Sequence, residues 1–585
     1  VAINNTGAIN DTGASDIEGG ITGASDIEGG ITGASDSEQR GINIIRGLAM
    51  DAVQQANSGH PGTPMALAPL AHVLFTRVMR YDATAVDWPD RDRFILSAGH
   101  ASMLLYASLF LTGVGDLTLD DIRNFRQFGS KTPGHPEARH TKGVEVTTGP
   151  LGQGFANSVG MAMAERNLRT RFGPDVADHR VFVICSDGDF EEGVSHEAAS
   201  LAGHQGLDRI VAVYDDNHIS IDGPTELAYS DNVPARFGAY GWRVIELGEV
   251  AEDLAALEAG LREGCESDGR PTLLVLRSHI GFPSPKFTDT AKAHGSPLGE
   301  DEVRVVKEIL GLPADEKFYV PADVLDYYRA AGRRGADERV AWEQRVEQWK
   351  QAHRDQSDEY EACVEGRGLA GWDAKLPTWQ AGESIATRAA CAKVLNAIAD
   401  VVPGLVGGSA DLTENTGTFL ENHGVMSRAE PAGRLVHFGV REHGMGSALV
   451  GMAMHGGVLP FGGTFFVFSD YMRPPVRLAA LSQAKALFVW SHDSVGLGED
   501  GPTHQPVEHL AALRAMPGLR LIRPADANEV AAAWRCHVDS NGPTALILTR
   551  QPLPVLEGTA ERAGNGVARG AYVLADERTR GQVDL

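Results

Sequence analysis

Short, unbroken apolar runs alternate along this chain with longer stretches of mixed polarity. Val181-Phe182-Val183-Ile184 and Ile210-Val211-Ala212-Val213-Tyr214 are rich in branched residues and show no apolar–polar alternation. That pattern predicts strands covered on both faces, as in parallel sheets. Ser195 to Leu201, between them, has helical character, so the stretch predicts a strand–helix–strand unit. Arg93–Ser97, Trp242–Leu247 and Thr272–Leu276 read as further strands, and Ile42–Val53 and Phe155–Arg166 as helices. A second series follows at Leu435–Phe438, Val458–Phe461, Ala486–Trp490, Leu519–Ile522 and Ala545–Thr549, with helices between. The fold class this predicts is α/β, with two doubly wound, mostly parallel sheets.

Breaks in the pattern divide the chain. Residues 1–39 are low in complexity: GASDIEGGIT stands at Gly13–Thr22 and again at Gly23–Thr32, and a third copy starts at Gly33. The repeat is Gly-rich and acidic with little to bury, and disorder is expected. Residues 40–355 form the first expected domain, 356–381 a linker of weak periodicity, and 382–557 the second domain. Residues 558–585 read as the beginning of a third domain that stops early, with GVARGAYVLAD as its opening strand. Gly446 to Phe468 carries no charge over 23 residues, but Gly456-Gly457, Pro460 and Gly462-Gly463 interrupt it. It parses as a buried helix, a short strand and a second helix start rather than a membrane span.

Composition narrows the field of partners. At 585 residues, 43% hydrophobic and 22% charged, the chain reads as an ordinary globular protein of several domains. A net charge of −26 argues against nucleic acid or an anionic membrane as the main partner. It leaves room for a phosphorylated substrate held by a local cluster of Arg and His. Five scattered cysteines give neither a disulfide framework nor a zinc pattern. No basic residue precedes Arg40 and no apolar leader is visible, so a cytoplasmic setting is expected.

The candidate chemistry gathers at the ends of the predicted strands. Parallel strands place their C-terminal loops on one edge of the sheet, where ligands of open α/β folds bind. Asp187, after the first strand of the unit, and Asn217, 30 positions later after the second, are therefore expected to converge. One carboxylate and one amide oxygen suit Mg²⁺, which is usually held by few protein oxygens together with substrate phosphates. Gly188 would let backbone approach those phosphates. Taken alone, the pair could equally be solvated acidic loop ends. Upstream, Ser58-Gly59-His60-Pro61-Gly62, Ala98-Gly99-His100-Ala101-Ser102, Thr132-Pro133-Gly134-His135-Pro136 and Gly149-Pro150-Leu151-Gly152-Gln153-Gly154 are Gly-rich turns, three of them bearing a histidine. Turns of this kind that feed helix N-termini are natural anion sites.

With their surroundings, these motifs resemble the transketolase family of thiamine-diphosphate enzymes. The resemblance runs through SGHPG, LSAGHASMLLY, TPGHPE, TTGPLGQG, the Ser186-Asp187-Gly188…Asn217 pair (where Ser186 replaces the family's first Gly), EEGVSHEAASLAG and YDDNHISIDGPT. In the second half it continues through IATR, GGSADL, GVREHGM, GGTFFVFSDY, SHDSVGLGEDGPTHQP and LTRQ, so that it covers about residues 40–585.

The resemblance implies thiamine diphosphate with Mg²⁺, or Ca²⁺ or Mn²⁺ in its place. The metal would sit on Asp187, Asn217 and the backbone carbonyl of Ile219. His100, Gly149, Pro150, Leu151, Gly188, Asn217, His294, Phe465, Phe468 and Tyr471 would contact the cofactor. Glu442 would be the carboxylic acid at the pyrimidine N1′, where burial raises a carboxyl pKa and lets it hold the proton. His60, His135, Arg388, Ser409, His492, Asp500, His504 and Arg550 would bind substrate, and His60, His294 and His504 would join Glu442 in catalysis. Glu192 and Glu197 would lie near the interface of a homodimer whose sites form between subunits. The activity implied is reversible transfer of a two-carbon ketol unit, in the pentose phosphate pathway, from a ketose phosphate such as xylulose 5-phosphate to ribose 5-phosphate or erythrose 4-phosphate. Dihydroxyacetone synthase, with formaldehyde as acceptor, is the nearest alternative, because PSPKFTDTAK ahead of His294 departs from the family. The decarboxylating component of a 2-oxoacid dehydrogenase is more distant. A non-catalytic protein on the same scaffold would be signalled by loss of Asp187, Asn217 or Glu442, and all three are present.

Overall fold

The computed structural model describes residues 31–575. The first sheet has five strands: β1 (Arg93–Leu96), β2 (Val181–Ser186), β3 (Ile210–Asp216), β4 (Arg243–Gly248) and β5 (Thr272–Arg277). Their order is β1-β2-β3-β5-β4, and every pairing is parallel. Every residue of β2 is buried, as an uninterrupted apolar run requires when helices cover both faces. A two-stranded antiparallel ribbon, β6 (Ser384–Ala386) with β13 (Pro552–Pro554), brackets the second sheet. That sheet has six strands: β7 (Leu405–Ser409), β8 (Leu435–His437), β9 (Leu459–Phe465), β10 (Leu487–Ser491), β11 (Arg520–Ile522) and β12 (Thr544–Leu548). Their order is β11-β12-β10-β9-β7-β8, again all parallel.

Seven of the helices matter here: α1 (Asp36–Ala56), α2 (Gln153–Phe172), α3 (Asp187–Glu191), α4 (Gly193–Gln205), α5 (Arg354–Glu365), α6 (Glu442–His455) and α7 (Thr559–Ala568). The two halves meet where α2 crosses α6. A Cβ placed on Gly160 would lie 1.9 Å from the Ala448 carbonyl oxygen, and one on Gly451 would lie 2.0 Å from that of Asn157. The helices therefore touch backbone to backbone, and Asn157 Nδ2 donates to the Ser447 carbonyl at 2.8 Å. One apolar core, including Val159 and Met163 of α2 with Met445 and Leu449 of α6, is shared by both halves.

The structure amends the expected layout in four places. Disorder was expected up to residue 39, but Thr32 bridges Asp253 and α1 opens at Asp36. The third repeat copy has become Ser35-Asp36-Ser37-Glu38, a capping box in which Glu38 accepts from the Ser35 amide at 2.9 Å. Residues 1–30 lie outside the described residues. The first part of the segment read as linker, up to residue 365, is not one: α5 fills 354–365 and buries Tyr360 and Cys363 against Phe172 and Trp349. The opening strand read in GVARGAYVLAD is replaced by the end of α7, which buries Thr559, Ala563 and Gly566 at helical spacing, and no strand follows through residue 575. Residues 576–585 are outside the described set. Finally, β7 was not foreseen. Gly407 and Gly408 stand where branched residues would signal a strand, because Cβ atoms there would lie 1.9 Å from the Phe461 and Val436 carbonyl oxygens.

Candidate active site

The first group of predicted residues lies at the carboxyl edge of β1, β2 and β3. Strand β2 delivers Asp187 to the first turn of α3, and β3 delivers Asn217 one residue past its end. Asp187 is buried; its Oδ1 accepts from Tyr214 Oη at 2.5 Å, while its Oδ2 is buried with no partner. Burial and the neighbouring carboxylates of Asp215 and Asp216 push its pKa up to about 7. Asn217 is fixed by donating to Asp215 Oδ2 at 2.8 Å and accepting from the Ile219 amide at 2.9 Å. An orphaned buried carboxylate oxygen among further carboxylates fits a cation, and the donor set is the oxygen set expected for a hard one. Gly188 is half-buried against Leu151, whose Cδ1 would lie 2.9 Å from a Cβ there. Gly99 packs so closely on the Thr148–Gly149 backbone that a Cβ would meet the Gly149 nitrogen at 2.7 Å. The two glycine-rich turns thus line one cradle with Asp187, a fit for a diphosphate.

Four histidines predicted from separate loops come together beside this cradle. The His60 ring centroid is 5.2 Å from that of His100, 6.3 Å from His135 and 5.7 Å from His294, and His100 stacks on His294 at 4.9 Å. Burial, reinforced by the neighbouring His294, Arg126 and His135, pulls the His60 pKa down to about 3. Burial likewise holds His100, His135 and His294 below the ordinary value. All four are therefore neutral at pH 7, able to donate from one ring nitrogen and accept at the other. His100 Nε2 and His294 Nδ1 are buried without partners, as expected of groups that face a ligand.

The second group forms a separate pocket at the carboxyl edge of β9, β10 and β12. Phe465 ends β9 and stacks near-parallel on Phe468, with centroids 6.0 Å apart and an interplanar angle of 15°. His492, just past β10, lies 3.8 Å from Phe465, and His504 lies 5.2 Å from Phe468. Tyr471 is 63% exposed at the rim, its ring 6.0 Å from Phe468. Arg388 donates to the Asn415 carbonyl at 3.2 Å, and Arg550 pairs with Glu499 at 2.5 Å. Burial and the charge of Arg550 lower the Arg388 pKa, while burial and both guanidiniums pull His492 down to about 4. Asp500 is exposed near His492. Ser409 is fully buried, its hydroxyl engaged by Thr413 Oγ1 at 2.8 Å and by the Leu412 amide at 2.8 Å. Glu442 opens α6 half-buried; burial raises its pKa, and Thr464 Oγ1 donates to it at 3.4 Å. Among the described residues, no hydrogen bond, ion pair or ring contact joins this pocket to the histidine cluster.

Asp189 and Arg126 organise the site without having been singled out for it, and Glu197 joins them. Asp189 ties three motifs together: its Oδ1 accepts from Ser97 Oγ at 2.6 Å and the Gly152 amide at 2.8 Å, and its Oδ2 from the Ser186 amide at 2.9 Å. Ser186 Oγ reaches the same oxygen at 3.1 Å, so the Ser that replaces Gly helps secure the turn. Arg126 donates to Ser58 Oγ at 2.9 Å and stands 3.4 Å from His60 Nδ1. It lies on a turn with no pattern of its own, so only its positive charge nine residues before His135 could have flagged it. Glu197, expected near an interface, accepts from the Gly444 amide at 2.7 Å and so caps the helix that carries Glu442.

Two parallel α/β sheets, each gathering candidate residues at its carboxyl edge, fit the class of thiamine-diphosphate-binding enzymes. The comparisons with known proteins agree. Residues 37–368 match the family model described as "Transketolase, thiamine diphosphate binding domain", and residues 383–555 match "Transketolase, pyrimidine binding domain". Transketolase of Halalkalibacterium halodurans is 50% identical over 552 residues, covering 94% of this chain and 82% of its own length. Among solved structures, transketolase from Leishmania mexicana superposes with a TM-score of 0.89 at 44% identity, covering 93% of this chain and 81% of that one. The complex of Pichia stipitis transketolase with sedoheptulose-7-phosphate gives a TM-score of 0.89 at 42% identity, with the same coverage. The chain belongs to the transketolase family. It is a thiamine-diphosphate-dependent transferase of two-carbon ketol units, and none of these relatives favours formaldehyde transfer or 2-oxoacid decarboxylation.

Proposed function

We propose that the substrates are a ketose phosphate donor and an aldose phosphate acceptor, that the divalent cation is Mg²⁺, and that each working site is completed by two copies of the chain. The supporting observation is that, among the described residues, no contact joins the histidine cluster to the second-domain group, although each offers what the other lacks. The acidic cradle and four neutral histidines lie on the first domain. The aromatic pair, Glu442 and the basic group lie on the second. A twofold pair of chains would close two equivalent sites by apposing unlike halves.

In that assembly Asp187, Asn217 and the Ile219 carbonyl would hold the cation, and Gly188 with the turn at Gly149–Leu151 would admit the diphosphate. Thiamine diphosphate, when bound, supplies the carbanion chemistry that breaks and makes the carbon–carbon bond beside a carbonyl. Glu442, whose pKa burial raises, would present its carboxyl to the cofactor's pyrimidine, and Phe465 and Phe468 would line the place for that ring. Arg388, Arg550 and His492 surround a space suited to a phosphate, which an arginine fork binds bidentately. His60, His135, His294 and His504 would offer ring nitrogens to the sugar's hydroxyls and carbonyl, and Asp500 would accept from a donor hydroxyl. The sugar phosphate named with the Pichia stipitis structure supports this substrate class.

Complementation tests the two-copy site. Asp187→Ala disables the first half and Glu442→Gln the second, so each variant alone should be nearly inactive. After co-refolding, random pairing should restore about a quarter of the wild-type sites, because half the dimers are mixed and each holds one intact site. No recovery in a demonstrably mixed dimer would refute the shared site.

A further inference from the structure

A cavity of about 640 Å³ lies on the side of the molecule away from both half-sites. The catalytic residues follow the carboxyl ends of strands, whereas this cavity borders the amino ends. Arg93 is the first residue of β1, His179 stands just before β2, and Gly456-Gly457 stand just before β9. Tyr360 and Val364 of α5 close another side, and the segment 139–145 closes a third.

The walls concentrate positive charge. Arg91, Arg93, Lys131, Arg139 and Lys142 line the cavity, against the carboxylates of Asp87, Asp116 and Glu145. Five cations facing three carboxylates is a local excess of two positive charges in a chain of net charge −26. Pairing leaves the excess accessible. Glu145 is shared by Arg91 at 2.8 Å and Arg93 at 3.1 Å, and Asp116 takes Lys131 at 2.9 Å. Arg139 and Lys142 have no carboxylate within ion-pair distance among the described residues. Basic side chains on a surface are ordinarily just solvated, but Arg93 is only 4% exposed and its Nε is buried without a partner. Burial, and secondarily the adjacent Arg91, hold its pKa down to about 10. On the floor His179 and His455 stack with Nε2 atoms 2.9 Å apart and burial keeps both neutral, while Asp90 behind His179 at 3.1 Å is paired with Arg80 at 2.9 Å.

We propose that this cavity binds a phosphate-bearing small molecule, distinct from cofactor and sugar substrate. Its volume falls within the roughly 300–1,000 Å³ of small-molecule pockets. Arg91 and Arg93 are held by Glu145 and by the Trp88 and Pro89 carbonyls, and Arg139 Nε by the Ser482 carbonyl at 2.8 Å, so the terminal nitrogens of Arg139 and the Lys142 ammonium are left for phosphate oxygens.

The test is calorimetric titration of the holoenzyme with inorganic pyrophosphate, with thiamine diphosphate saturating and free divalent cation held constant. Three proteins are compared: wild type, the double variant Arg139→Glu/Lys142→Glu, and Arg550→Ala. Wild type should bind. The double variant should bind at least about tenfold more weakly, as lost charge-assisted contacts require, with turnover unchanged. Arg550→Ala should retain the wild-type affinity. Lys142→Gln, at an exposed position, serves if the double variant misfolds, and it should weaken binding about threefold. Absence of binding to wild type, equal binding by the cavity variants, or loss of binding only in Arg550→Ala would each overturn the proposal.

Discussion

Arg550, two residues past the end of β12, pairs with Glu499 beside the second-domain group, its one ionic partner among the described residues. Its charge lowers the pKa of both Arg388 and His492, so the three already sense one another across a space that an anion would fill. Arg550→Ala should therefore raise KM for phosphorylated donors by about tenfold to a hundredfold, the effect of losing a hydrogen bond to a charged group. KM for unphosphorylated hydroxypyruvate should change little. Steady-state kinetics with both donors decide this, and equal changes would remove Arg550 from phosphate binding. At this scale the sequence pointed to residues that sit inside motifs, such as Asp187, Asn217, Glu442 and the four histidines, which the fold gathers in one cluster. Asp189 and Arg126 were not. Asp189 acts by accepting hydrogen bonds from three separate loops, and Arg126 by standing against His60; both roles exist only once the chain is folded.

Helices α2 and α6 hold the two domains in register through the contact at Gly160 and Gly451. Gly160→Ala puts a methyl 1.9 Å from the Ala448 carbonyl oxygen, where backbone and not a flexible side chain must yield. The ordinary gain from Gly→Ala in a helix, about 1 kcal/mol, should be outweighed by overpacking of about 1–3 kcal/mol or more. Denaturant melts should show a net loss of stability, and a gain would mean that the helices separate freely. The long strands were legible because a buried parallel strand must be an unbroken apolar run. β7 was hidden by the glycines that let it approach β8 and β9. The helix α7 was hidden because its buried face, Thr559, Ala563 and Gly566, is built of small residues rather than large apolar ones.

For the molecule as a whole, the two-sheet architecture followed from the order of apolar runs, but the relation between the halves did not. No single segment records that α2 meets α6 or that the site's halves stand apart in one chain. Acid stability is another property of the assembled fold. His537 is fully buried, neither ring nitrogen has a partner, and burial with the nearby Lys485 and Arg520 lowers its pKa from 6.5 to about 3. Between those values the unfolded chain carries the extra proton. Stability due to this group is thus present above pH 6.5 and falls as pH drops toward 3, by about 1.4 kcal/mol per pH unit. His537→Leu should flatten the stability–pH curve between pH 6.5 and 4 by about that slope in equilibrium unfolding. An unchanged slope would place the charge change elsewhere. The claim on which everything else depends is transfer between sugar phosphates. It is tested by incubating the holoenzyme with xylulose 5-phosphate and, in separate reactions, ribose 5-phosphate or formaldehyde, and identifying the products. Sedoheptulose 7-phosphate from ribose 5-phosphate is the predicted result. Dihydroxyacetone from formaldehyde alone, or no product with cofactor demonstrably bound, would contradict it.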